Sequence, residues 1–313
     1  MDQTETRKFA YEQAYKRLGR LAFQINQTIR SRDAEAVHDL RVAIRRFAQV
    51  LRAFKPCFRG KEVRKIRREL KQIMDLAGEV RNCDVALKLI LKSHGIDATG
   101  LRPKLEDVRR EDERALVAFL KQWADRQSSL KWRGALANAA TTNGDASSKA
   151  PIARTAQRML PRMAQEFFER GSEAARTTTS PRELHRFRIT AKRFRYTLEL
   201  FSTVYGPPLD PSLGRIKSTQ ELLGDINDCD TVRNLLSQFK AAEKVTSWLK
   251  KRQRRRIEEF QRYWTDTFAG DEEPRRWCAL LSRPAGGARQ TRKPAGHAGM
   301  ASQAARRRPV AVA

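Results

Sequence analysis

Negative charge is scarce in this sequence. Its 313 residues carry 36 Asp and Glu against 64 Lys and Arg, a formal charge of +28. Such an excess opposes compaction by self-repulsion. It points to phosphate-rich polymers as partners, because they neutralise it. Cysteine is scarce too. Cys57, Cys83, Cys229 and Cys278 lie far apart and form no C-x-x-C pair. That argues against a zinc site and predicts free thiols in a reducing cytoplasm. No apolar run approaches the roughly 18 residues that a membrane span needs, and residues 1–10 are polar, without the apolar stretch of a targeting peptide. The P-loop, G-x-S-x-G and H-E-x-x-H patterns are missing as well. With no carboxylate cluster for magnesium and no evident nucleophile, the expectation is a binding protein with no catalytic residue, no metal and no cofactor.

What the chain does have is enough apolar content for a core, 40% of its residues. Apolar side chains recur at spacings of three and four, while Gly and Pro fall mostly at segment edges, so the fold class is all-α. Helices are expected near 5–31, 34–55, 61–77, 84–94, 103–127, 152–175, 181–204, 210–223, 230–239 and 241–268. Residues 138–150 are small, polar and aperiodic and read as a linker. Residues 282–313 lack any acid, are rich in Pro, Gly, Ala and Arg, and read as a disordered basic tail after an ordered 5–280.

An internal repeat organises the ordered part. VHDLRVAIRRFAQVLRAF (37–54) matches LHRFRITAKRFRYTLELF (184–201). His38 falls on His185, Arg41 on Arg188, Arg45 on Lys192, Arg46 on Arg193 and Phe54 on Phe201. Downstream, LAGEVRNCD (76–84) matches LLGDINDCD (222–230), which places Lys71 on Lys217. The reading is two copies of one helical unit, at about 5–130 and 151–269.

In each copy the motif helix carries an apolar stripe with 3-4-3-4-3 spacing, Val37 to Phe54 and Leu184 to Phe201. His38, Arg41, Arg45 and Arg52 form a ridge beside the first stripe; His185, Arg188 and Lys192 do so beside the second. Arg46 and Arg193 sit off to one side. A merely solvated face interleaves Glu at i+4 to offset repulsion, yet the ridge from Arg41 to Arg52 contains no acid. Stacked like charges cost stability unless an anion occupies the face. The following helix adds Arg64, Arg67, Arg68 and Lys71; in the second copy only Lys217, with Arg215 nearby, survives.

These paired motifs, H-x-x-R-V-x-x-R-R-F and H-x-x-R-I-x-x-K-R-F-R-Y, each followed by an L-x-G segment ending in Cys-Asp, resemble the CHAD domain, the conserved histidine α-helical domain. The resemblance covers about 5–269. It implies two pseudo-symmetric helical-bundle repeats around a basic central groove or pore. It also implies binding of inorganic polyphosphate and association with cytoplasmic polyphosphate granules. By motif position the implied ligands are His38, Arg41, Arg45, Arg46, Lys71, His185, Arg188, Lys192, Arg193 and Lys217. The E-x-E-x-K signature of the triphosphatase domain that often accompanies the family is not found.

Some features keep two readings. His38 and His185 are either phosphate ligands or structural histidines. A nucleic acid is the alternative partner, at least as weak non-specific binding, although the ridges lack aromatics for stacking and Asn or Gln for base-edge readout. Asp84 and Asp230 follow glycine-containing turns and are expected to cap the next helix. Trp123, Trp264, Cys83 and Cys229 are expected to pack in the core. Lys and Arg are expected to stay charged from pH 6 to 8. The sequence sets no oligomeric state.

Overall fold

Local capping and apolar periodicity set where the helices of this computed structural model begin and what they bury. It describes residues 5–93, 100–142, 149–239 and 242–283. Among these, regular structure is helical, apart from an isolated bridge between Glu5 and Pro151. The first elements are α1 (Thr6–Ser31), α2 (Ala34–Ala53), α3 (Lys61–Leu91), α4 (Arg102–Asp125) and α5 (Ser128–Thr142). Then come α6 (Ile152–Ala174), α7 (Pro181–Leu200), the short α8 (Ser202–Tyr205), α9 (Asp210–Leu236), α10 (Glu243–Phe268) and α11 (Glu272–Ser282).

The two motif helices start for identifiable reasons. Asp33 caps α2, its carboxylate accepting from the Ala36 amide at 2.7 Å. Ser180 and Glu183 close a reciprocal capping box on α7, with Pro181 in the first turn, where its missing N–H costs nothing. Both expected stripes are buried: Val37, Leu40, Ile44, Phe47, Leu51 and Phe54 on one helix, Leu184, Phe187, Ala191, Phe194, Leu198 and Phe201 on the other. The helices meet toward their C-terminal ends. Gln49 Nε2 donates to Thr197 Oγ1 at 2.8 Å, and the Phe54 and Phe201 rings contact edge-on at 5.7 Å between centroids. One apolar core runs through both halves of the chain, and a smaller cluster joins the ends of α3 and α9 to the starts of α4 and α10.

Three expectations about elements are corrected. First, the breaks at Gly78 and Gly224 do not exist, because α3 and α9 run straight through them. A helical glycine costs about 1 kcal/mol, and tertiary context overrides it. At Gly78 the reason is visible, since an added Cβ would lie 2.9 Å from Arg41 Nη1. Second, Asp84 and Asp230 therefore cap nothing. Asp84 is buried inside α3 and accepts from Arg109 Nε at 2.7 Å, while Asp230 lies 3.7 Å from Arg233 on α9. Third, α5 takes the first residues of the expected linker, and α11 was not expected. Trp132, Leu136, Ala139 and Ala140 on α5, and Trp277 and Leu281 on α11, are spaced for one helical face and are buried. Residues 143–148 of the linker and 284–313 of the tail lie outside the described residues.

Trp123 and Trp264 are core residues as expected. Trp264 needs Gly171, because a Cβ there would fall 1.9 Å from its ring. Cys83 and Cys229 are buried, and burial pushes both thiols up to about 11, the character of packing rather than reactive cysteines.

Candidate functional site

Helices α2, α3 and α7 enclose a cleft of about 640 Å³. From α2 come Arg45 and Arg52, with Lys55 just beyond its end; from α3 come Arg67 and Lys71. From α7 come Lys192 and Arg193. No Asp or Glu lines the cleft, and its floor is Ile44, Leu70, Met74 and other apolar groups. The cations stand where they do because each lies one step off a buried apolar stripe. With Ile44, Leu51 and Leu70 buried, Arg45, Arg52 and Lys71 fall on the cleft side of their helices. Arg67 is also anchored, its Nη2 donating to the Leu51 carbonyl at 2.8 Å.

Behind the cleft lies a denser junction. Arg41 and Arg188 are partly buried, close enough to Arg45, Lys192 and Asp228 to perturb one another. Burial, then the Arg45, Arg81 and Arg188 guanidinium groups, hold Arg41 down to about 10. Burial beside Arg188 and Arg45 holds the Lys192 amine down to about 6, against a partial counter-pull from Asp228. The expectation that every lysine stays charged from pH 6 to 8 fails there. Too little water and too many like charges surround that amine. Asp228 is pushed above the usual carboxylate range by burial, although Arg188 and Arg81 pull it down. Arg41 Nη1 donates to the Met74 carbonyl at 3.1 Å. The Nε atoms of Arg45 and Arg188 are buried with no hydrogen-bond partner. Buried donors of this kind are rare unless something else satisfies them.

The structure thus brings together Arg45, Lys71, Lys192 and Arg193 in the cleft, with Arg41 and Arg188 behind them. Arg193 also pairs with Glu166, and Lys71 with Asp75 at 2.5 Å. The other sequence candidates stand elsewhere. Arg46 turns to Glu199 at 3.4 Å. Lys217 is exposed, 3.9 Å from Glu221, and does not line the cleft. His38 is half-buried, with its pKa lowered by burial and by Arg81 and Arg45. His185 is exposed and lines a separate 100 Å³ cavity with Arg188. Arg81 and Asp228 were not singled out in the sequence because both fall in segments read as turns. Lys55 lies just past a helix end and carried no periodic signal.

The CHAD domain family profile matches residues 12–237. The chain belongs to the CHAD domain family. That family is associated with polyphosphate binding. A crystal structure of the CHAD domain from the plant Ricinus communis superposes with TM-score 0.67 at 18% identity, covering 90% of this chain and 92% of that one. PptA from Streptomyces chartreusis superposes with TM-score 0.58 at 16% identity, covering 85% and 100%. At such identities these likenesses carry the CHAD fold and not the chemistry. No curated protein matches the sequence significantly. Among the described residues, no helix is long and apolar enough to cross a membrane.

Proposed function

We propose that this CHAD protein binds inorganic polyphosphate in the cleft between α2, α3 and α7, and that it does so without catalysing a reaction on it. The observation that carries the reading is the cleft's composition. Seven Lys and Arg side chains from three parts of the chain converge on it and no carboxylate does. Unliganded, the arrangement is unfavourable: like charges crowd the cleft, and burial beside Arg188 and Arg45 lowers the proton affinity of Lys192. A polyanion in the cleft offsets both costs. Arg grips phosphate oxygens with its planar fork, and Lys acts as a point charge. Each contact releases counterions, so modest contacts add up to tight, salt-sensitive binding.

In this reading Arg45, Arg52, Lys55, Arg67, Lys71, Lys192 and Arg193 face the polymer, with Arg41 and Arg188 as the charged ground behind them. Arg46 and Lys217 leave the expected ligand set. The two halves remain a pseudo-symmetric pair in origin, and the protein accompanies polyphosphate granules in the cytoplasm. Nucleic acid is disfavoured because the one aromatic on the cleft wall, Tyr196, is buried and offers no stacking face. The deciding experiment is a titration with long-chain polyphosphate in competition with DNA at equal phosphate concentration. Polyphosphate that DNA does not displace supports the reading; displacement at equal charge would contradict it. Release of orthophosphate during the titration would contradict the non-catalytic part.

A further inference from the structure

The chemistry of Lys192 goes beyond holding an anion. Most lysines whose surroundings are resolved here meet a carboxylate or open water. Lys65 pairs with Glu62 at 2.8 Å, Lys71 with Asp75 at 2.5 Å and Lys217 with Glu221 at 3.9 Å. Lys192 lines the cleft and is reachable through it, as Lys71 is. It differs in two respects. The charged groups nearest to it are Arg41 and Arg45 from α2 and Arg188 from its own helix, against the single carboxylate of Asp228 from α9. It has no ion pair, and its neighbours in the cleft wall, Arg45 and Arg193, are suited to a phosphate dianion. A desolvated amine beside other cations is the arrangement that makes lysine a nucleophile.

We infer that Lys192 is a self-acylating modification site whose co-substrate is a small acyl phosphate, docked by its phosphate on the cleft arginines. The Lys192 nitrogen lone pair attacks the acyl carbon. An N–C bond forms, the C–O bond to phosphate breaks, and its electron pair leaves with the phosphate. The nitrogen gives up one proton, which the departing phosphate takes, so an amine and an acyl phosphate become an amide and hydrogen phosphate. The low proton affinity of the unliganded amine, near pH 6, supports the step because the amine is largely neutral at pH 7 when the acyl phosphate arrives. The amide cannot take up the proton that a bound polyanion favours on the amine, so acylation weakens the cleft for polyanions; this last consequence rests on the polyphosphate reading.

The test is to incubate the full-length protein with acetyl phosphate at pH 7, with and without long-chain polyphosphate. Initial acetylation of each lysine is followed by mass spectrometry, after digestion with a protease that does not cut at lysine. Lys71 and Lys217 are internal controls. The expected result is initial acetylation of Lys192 at least about tenfold faster than either control, suppressed by polyphosphate and lost in urea. Acetylation of Lys192 no faster than Lys71 and Lys217 overturns the inference. A parallel polyphosphate titration separates the two claims. Binding without preferential acetylation sinks the modification site alone. Preferential acetylation without binding or protection sinks the polyphosphate reading and leaves the modification site standing.

Discussion

Helices α2 and α7 carry nearly the same motif, yet the faces beside them have become different things. Where α2 has Arg52, the aligned position of α7 has Glu199; where α2 has Ala48, α7 has Arg195. Those two α7 residues pair with each other at 2.8 Å. Arg195 also donates to Gln220 at 2.7 Å, and Glu199 reaches Arg46 at 3.4 Å. The following helices diverge in the same sense. Arg67 of α3 aligns with Leu213 of α9. Arg215 of α9 is engaged with Glu273 at 3.0 Å and lies over the Trp277 and Phe268 rings. No carboxylate lines the first face, although Lys71 and Arg193 there have partners outside it, whereas the second is occupied by ion pairs within the fold. A charged motif therefore says little about function until the partner of each charge is known.

The sharpest way to break this comparison is to neutralise each face in turn. Arg45→Gln with Lys71→Gln should lower polyphosphate affinity by on the order of a hundredfold, since a charge-assisted contact contributes about 1.5–3 kcal/mol. Lys217→Gln should leave it within about twofold. Calorimetric titration of the variants decides it, and equal losses from both would remove the distinction between the faces. Circular dichroism checks that the helices persist.

Next in size is a stability effect confined to the structural half. Gly171→Ala drives a methyl group into Trp264 and should cost about 1–3 kcal/mol in urea unfolding. At native temperature its polyphosphate affinity should be unchanged. A neutral outcome would mean that α6 and α10 are not packed as closely as described.

A pH effect of up to about tenfold per unit is expected from Lys192. Its unliganded value is about 6, and a bound polyanion raises it. Above pH 6 binding therefore takes up a proton, and affinity falls as pH rises toward the bound-state value. Stability of the free protein runs the other way. The folded value lies below the unfolded 10.5, so the unfolded chain binds more protons and stability rises with pH between about 6 and 10.5. Lys192→Met should flatten both slopes and raise the melting temperature of the free protein while weakening binding. The smallest expected effect is at Asp228. Asp228→Asn removes the junction's carboxylate and should strengthen polyphosphate binding by only a few-fold at low salt. Weaker binding in that variant would show that Asp228 orients the cations more than it opposes the ligand.

The fold was legible in the sequence where apolar residues recur on one face. Both stripes of the motif helices, and the burial of Trp123 and Trp264, follow from spacing alone. Gly78 and Gly224 misled, because a glycine inside a helix looks the same in one dimension as a glycine that turns the chain; at Gly78 it makes room for the Arg41 guanidinium, and at Gly224 nothing crowds it. That single error hid Arg81 and Asp228. Within the cleft, Arg45, Lys71 and Lys192 were readable as ridge positions, and Arg193 only from the motif. That Arg46 stands outside the cleft was not, because its partner Glu199 comes from another helix; the i,i+4 spacing of Lys217 and Glu221 was readable. The depressed proton affinity of Lys192 needs knowledge of which cations crowd it from α2, some 147 residues away in sequence, as in Arg45 to Lys192.

The central claim is that polyphosphate is neutralised by the cations of one cleft. Its most direct measurement is the salt dependence of long-chain polyphosphate affinity, compared between the parent protein and the Arg45→Gln, Lys71→Gln variant. Log affinity should fall linearly with log salt, and the variant's slope should be shallower by about two, one for each lost phosphate contact. A variant slope equal to the parent's would contradict the account, because the polymer would then be bound by charges outside the cleft.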